Sequence, residues 1–472
     1  MAIVYKAGMK FLSKLLILIC FGLIAGTDIY SQSENDQELI LSEIIDQALQ
    51  NSPLIDKLKA QSRNAEIELD KVDAVKIIPI LNTNLISGVV PEARGDQYSS
   101  PDKQTDLDGW GPFIQWELNF FQPLFTLGRI PAAEKAAISG MKLQDELNNQ
   151  ELLEFKNLVS QTYWTVAMLK QSVELAAELK SNYDSLLVEV EKEKNDPNSE
   201  IEESDYLEIK SNAYMIEKLS ISASTNLTTA LKAFNEITGM HISRSQVFPD
   251  IAMPVFESEE IDLENTFEFA LINRNDLNAL KQGIQALKHK NDLTASEKLP
   301  MVYLAGGARF GYAPNREDQK NPFVYDDFNY IGLGAFVGVK WDINLLTPTI
   351  YEKQEQAQIQ IQEENLQLLK SKVRIEVSDA YNKIIENTSL LEAIKQSIND
   401  SETWLALSLD NWEMGFGDAE KLIKAYNTYY QLKAQELELK LKFHQSLASF
   451  AVKISSFEKY LEWINEGKVF VD

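Results

Sequence analysis

Residues 112–124 alternate between two environments. Ile114, Trp116, Leu118 and Phe120 share one parity, and Gln115, Glu117 and Asn119 share the other. Such alternation predicts a β-strand with one apolar and one polar face. Because most of the remaining chain reads as long helix, this strand must find something unusual for its apolar side to meet. Two other runs repeat the pattern. In "MVYLAGGARFGY", Val302, Leu304, Ala308, Phe310 and Tyr312 share a parity, and Arg309 sits on the other among small residues. In "YIGLGAFVGVKWDI", Ile331, Leu333, Ala335, Val337, Val339, Trp341 and Ile343 stand opposite three glycines, Phe336, Lys340 and Asp342. A fourth run, "PILNTNLISGVV", sets Leu81, Leu85 and Val89 against Asn82 and Asn84, with Thr83 and Ile86 breaking the rule.

A strand of about 11 residues, rising roughly 3.3 Å per residue at a tilt of about 45°, climbs about 25 Å, the height of a transmembrane barrel's apolar band. Trp116, Phe120, Tyr312, Tyr330 and Trp341 are candidates for its aromatic girdles. Paired strands are joined by long polar loops at 91–109 and 313–329, whereas strand leads almost directly into helix at Pro123–Gly128 and Thr347–Pro348. Four strands cannot close, and open edges do not survive in hydrocarbon. Two chains would pool eight strands around a filled interior, and three would pool twelve around a lumen. On this reading Ile114, Trp116, Leu118, Phe120, Leu333, Val337 and Trp341 face lipid. Gln115, Glu117, Asn119 and Arg309 face a water-filled channel. The competing reading is a soluble sheet with one face on a core.

The chain is written twice. "LSEIIDQALQNSP" from Leu41 corresponds to "LENTFEFALINRN" from Leu263, aligning Ala48 with Ala270, Leu49 with Leu271 and Asn51 with Asn273. "VSQTY" at 159–163 recurs as "VSDAY" at 377–381, and Pro79 matches Pro300. A period this long means a duplicated domain rather than a stacked array. Each half reads helix, strand, loop, strand, very long helix, turn, long helix. The expected helices are 41–77, 130–194 and 202–239, then 263–298, 349–412 and 418–450. The expected strands are 79–90, 112–124, 300–312 and 330–345. The division expected is a signal segment at 1–31, a first repeat at 32–245, a linker at 246–262, a second repeat at 263–452 and a patternless tail at 453–472. In the first long helix Leu152, Phe155, Val159, Thr162, Val166, Leu169, Val173, Ala176, Leu179, Tyr183, Leu186 and Val190 step by threes and fours, a coiled-coil period. At 1.5 Å per residue this helix is a rod of roughly 100 Å. Its stripe is wider than one seam, which suits a helix touching neighbours on two sides, as in a cylinder of helices, although the helices taken alone favour an ordinary extended coiled-coil stalk.

Lys6, Lys10 and Lys14 precede the apolar run "LLILICFGLIA", the layout of a signal peptide too short to span a bilayer as a helix. Ser31 precedes one plausible cleavage point. Cys20 is the only cysteine, so an exported chain cut after Ser31 has no disulfide and relies on packing and assembly. The formal charge of −26 argues against nucleic acid and anionic lipid surfaces as partners. His241, His289 and His444 are scattered without ligand spacing, which points to no metal or cofactor. "GLGAFVG" lies inside a strand with no helix following, so a phosphate-loop reading fails. No carboxylate pair stands out as an acid–base couple, and an enzyme is not expected.

These features resemble the TolC-like outer-membrane efflux and secretion ducts over nearly all of the expected mature sequence. The resemblance rests on the duplication, on "ALQNSP" at the family's Ala-Leu-x-x-Asn-Pro position, on "FQPLFTLGRI" after the second strand, on "VSQTY" and on "WEMGFGDAEKLIKAY" at 412–426. It implies a mainly α fold with a transmembrane β part: a duplicated long-helix α-barrel, plus four β-strands per chain contributing to a trimeric 12-stranded β-barrel. It also implies a homotrimer in the outer membrane of a Gram-negative bacterium, with a periplasmic helical extension. The implied partners are a periplasmic adaptor protein and an inner-membrane efflux pump or transporter, in efflux or type I secretion. Trp412 and Gly415 match the family's tip pattern, and Asp205 matches it in the first hairpin. With Gly417, Lys421 and Lys424 they form the implied docking and gating set. Lys421 and Lys424 stand where some members carry acidic residues. The first turn, "KNDPNSEIEE", lacks the tip glycine, and the second half has "DINLLTP" in place of the "QPLF" form. The alternative is an exported coiled-coil scaffold with a soluble β-domain.

Overall fold

The computed structural model describes residues 39–94, 104–195, 202–246, 248, 254–256, 261–316, 327–343, 346–415 and 417–469. The expected signal segment, with Cys20 and Ser31, lies outside the described residues. The first repeat contains α1 (Leu41–Asn51), α2 (Pro53–Ile77), β1 (Ile80–Arg94), β2 (Gln104–Phe125), α3 (Arg129–Lys194) and α4 (Glu203–Thr238). A short strand β3 (Val255–Phe256) lies between the repeats. The second repeat follows the same order with α5 (Leu263–Asn273), α6 (Asn275–Ser296), β4 (Met301–Tyr312), β5 (Tyr330–Lys340), α7 (Leu346–Glu413) and α8 (Ala419–Lys453). The chain closes with α9 (Phe457–Glu466) and β6 (Lys468–Val469).

The single helix expected at 41–77 is two. Ser52 takes an extended backbone, its Oγ accepts from Leu54 N at 3.2 Å, and Pro53 opens α2. Proline suits this place because its missing N–H would be unpaired there in any case. The helix expected at 263–298 breaks at the matching place, where Arg274 is extended between α5 and α6. Arg274 is buried, and its guanidinium bridges Asp276 at 2.6 Å and Glu376 of α7 at 2.8 Å. β1 and β2 are longer than expected, 15 and 22 residues, and pair beyond a register shift at Pro91/Glu92. β5 is shorter than expected and ends at Lys340.

Toward the tips the helices lie side by side in the order α4, α3, α8, α7; nearer the sheet the order is α2, α3, α6, α7. One flank of the chain is therefore α2 with α4, and the other is α7. Both flanks carry exposed apolar residues at heptad spacing: Leu207, Tyr214 and Ile221 on α4, and Ile361, Leu368 and Ile375 on α7.

The seam of α3 follows the expected positions at Val159, Val166, Leu179, Tyr183, Leu186 and Val190. It departs at Thr162, which bonds back to Leu158 O while Tyr163 and Trp164 turn inward. The tail has a pattern after all. α9 buries Phe457, Tyr460 and Trp463 completely, Gly467 ends it in the left-handed region at φ 68°, and β6 pairs in parallel with β3. The Tyr460 hydroxyl accepts from Ser160 Oγ and Trp164 Nε1, tying the tail to α3.

Candidate functional site

The four long strands form one antiparallel sheet in the order β1, β2, β4, β5. Residues directly opposite one another share a face, so the register sorts every side chain. Leu85, Trp116, Phe310 and Ile331 lie on one row, and Thr83, Leu118, Ala308 and Leu333 on the next. Continued along the sheet, that face also holds Ile114, Phe120, Leu304 and Val337. The other face aligns Asn84, Glu117, Arg309 and Gly332, then Asn82, Asn119, Gly307 and Gly334, with Gln115 opposite Gly311. Sequence parity and structural register thus agree for Ile114, Trp116, Leu118, Phe120, Leu333 and Val337 on one side and for Gln115, Glu117, Asn119 and Arg309 on the other. The apolar face is bare within the chain: Leu333 is 90% exposed and Ile331 87%. Both outer strands, β1 and β5, have one unpaired edge in this sheet.

Thr83, which breaks the alternation of β1, does lie on the apolar face, where its Oγ1 accepts from Trp116 Nε1 at 3.0 Å. One aromatic assignment changes. Tyr330 lies on the polar face, its ring against Gly311 and 5.6 Å from the Arg309 guanidinium, so it belongs to no apolar girdle. Trp341 lies just past the end of β5, and its Nε1 donates to Lys298 O at 3.0 Å. The glycines of "GLGAFVG" make room for cross-strand side chains. A Cβ on Gly332 would meet Arg309 Nε at 2.8 Å, and one on Gly338 would meet the Tyr303 ring at 2.7 Å.

At the far end of the helices, Tyr183, Val190, Ile209, Trp412, Leu422 and Tyr426 belong to a second buried cluster that joins both hairpins. Trp412 is 7% exposed, and its Nε1 is buried without an acceptor. Gly415 turns the chain at φ 78°. Gly417 lies against the Trp412 backbone, where an added Cβ would meet Cα at 2.5 Å. Asp418 caps α8, accepting from Glu420 N at 3.0 Å and Lys421 N at 3.4 Å, and its other oxygen is 3.6 Å from Lys421 Nζ. Partial burial pushes the Asp205 carboxyl up, and Glu202 and Asp418 add to the shift. The second hairpin's Asp418 thus bears electrostatically on Asp205 of the first. Lys421 and Lys424 are exposed beside them. Asp418 was missed in the sequence, although an Asp before an Ala-Glu-Lys-Leu run is a recognisable N-cap signal.

Among the described residues no three His, Cys, Asp or Glu side chains come together as a metal site, and no helix is long and apolar enough to cross a membrane. His444 is fully buried, stacked on Trp164 at 3.8 Å.

The sequence matches no protein-family model and no curated protein. Solved structures do match in fold. The channel in crystal structures of CusC, described in terms of folding and transmembrane channel formation, superposes with a TM-score of 0.72 at 14% identity, covering 89% of this chain and 92% of that one. The Campylobacter jejuni CmeC outer membrane channel gives 0.70 at 13% identity, covering 90% and 89%. The outer membrane protein VceC from Vibrio cholerae gives 0.63 at 16% identity, covering 86% and 96%. The chain has the fold of these outer-membrane proteins.

Proposed function

We propose that this chain is one third of an outer-membrane export duct, and that it is not an enzyme. One observation carries the reading: a four-stranded sheet with one mainly apolar, exposed face, the other rich in polar residues and glycine, and both edges open. Closed by β1 of one copy pairing with β5 of the next, three such sheets bury every edge, turn Trp116 and Leu333 to lipid and turn Glu117 and Arg309 to water. The heptad stripes on α4 and α7 support the same closure, since α7 of one copy then packs against α2 and α4 of its neighbour. The channels of like fold agree with this placement.

The hairpin tips around Trp412, Gly415 and Asp205 then form the inner end of the tube. There they meet a periplasmic adaptor and an inner-membrane transporter, and shear between packed helices opens the passage. The duct serves efflux or type I secretion. Membrane fractionation followed by mass measurement in mild detergent tests the reading. The expected result is a trimer that partitions with the outer membrane. A folded monomer released into aqueous buffer by salt overturns it.

A further inference from the structure

We infer that the ends of the connection between β4 and β5 fold inward and build a collar on the polar face, at the end of the sheet far from the helices, so that the duct carries an outer constriction separate from its periplasmic tips. This rests on the channel reading above. Gly111 lies on the polar face, and a Cβ there would land 2.3 Å from Asn315 Cγ, so Asn315 covers that face rather than extending beyond it. Its Nδ2 donates to Val90 O at 3.0 Å, and Arg316 donates to Pro91 O at 2.9 Å, fixing the segment across β2 to β1.

The second arm of the connection lies over the same face. Gln115 Nε2 donates to Asp327 O at 2.7 Å, and Phe328 O sits 2.8 Å from where Gly311 would carry a Cβ. Phe328 meets Phe113 edge to face at 5.3 Å, and the Arg316 guanidinium lies 4.7 Å from the Phe328 ring centre. Asn329 ties the two arms together: its Oδ1 accepts from Ala313 N at 2.7 Å and its Nδ2 donates to Arg316 O at 3.1 Å. Ala313 is fully buried beneath this layer, whereas Glu117 and Asn119, further along the same face, are exposed. The arrangement is a fixed stack of Phe113, Phe328 and Arg316, held by cation–π and edge-to-face contacts. Repeated in three copies, it is a ring of aromatic and guanidinium groups that restricts bulky hydrophilic solutes entering from outside.

The test uses the full-length duct in intact cells, with Cys20 in the expected signal segment as the only native cysteine. Asn119→Cys reports access to the lumen below the collar. A small membrane-impermeant maleimide is expected to label it from outside, and a maleimide bearing a long polyethylene glycol chain is not. Adding Phe328→Ala, or separately Arg316→Gln, is expected to admit the bulky reagent, with trimer yield measured alongside in both. Equal bulky labelling with and without the collar substitutions overturns the collar and leaves the channel reading intact. Failure of the small reagent to reach Asn119→Cys in any variant overturns the channel reading itself, and the collar with it.

Discussion

The Thr83 hydroxyl accepts the indole N–H of Trp116 at 3.0 Å on the mainly apolar face of the sheet. In the proposed barrel, its loss leaves a donor unpaired against hydrocarbon. Thr83→Val is expected to destabilise the trimer by about 1–2 kcal/mol. Adding Trp116→Phe to Thr83→Val removes donor and acceptor together and should recover much of the loss. Heat-dependent dissociation of the trimer on gels measures both, and strictly additive losses contradict the pairing.

At the second tip, Gly417 has no room for a methyl group, because the obstacle is the backbone of Trp412. Gly417→Ala is expected to open the turn and raise passive leak of small solutes. Trp412→Phe removes the buried indole donor that lacks an acceptor. It should therefore cost far less than Trp412→Ala, for which about 3–5 kcal/mol is expected. Conductance in planar bilayers and thermal unfolding read the two effects separately.

Burial on its own pushes Asp276 and Glu376 up, yet Arg274 beside them holds both carboxyls below the usual range. Their contribution to stability is thus complete above the ordinary carboxylate pKa and fades as acidification passes through the depressed values, below about pH 4. Arg274→Met should cost about 3 kcal/mol at neutral pH, by leaving buried carboxylates without their partner, and should flatten that acid dependence. Thermal midpoints of both proteins from pH 3 to 7 provide the check.

The tail is structural. Trp463 is fully buried, and truncation after Ser456 removes it with Phe457 and Tyr460. Trp463→Ala is expected to cost about 3–5 kcal/mol, and the truncated chain should yield no trimer. A trimer of normal heat stability from the truncated chain would show that α9 is dispensable.

Strand faces were legible because a period of two leaves one assignment per residue, and the register repeats it from Ile114 to Asn119. Thr83 was illegible on its own: only a partner on the next strand makes a hydroxyl fit an apolar row. The helix break at Ser52 was written in Ser-Pro but was overlooked inside a long apolar-periodic stretch; its counterpart at Arg274 has no proline to mark it. In α9, Phe457, Tyr460 and Trp463 repeat every three residues before a glycine, a short helical signal lost beside helices six times longer. The tips were located by motif, whereas the burial of Trp412 against both hairpins needed two segments remote in sequence to be placed side by side.

The unpaired edges of β1 and β5 have a corollary for assembly. If no copy can rest alone in oil, entering the bilayer and finding two siblings become a single event, whose equilibrium yield scales with the cube of monomer concentration. Low expression would then thin the population of finished tubes far more steeply than the supply of chains, leaving the remainder in the aqueous periplasm, exposed to proteases.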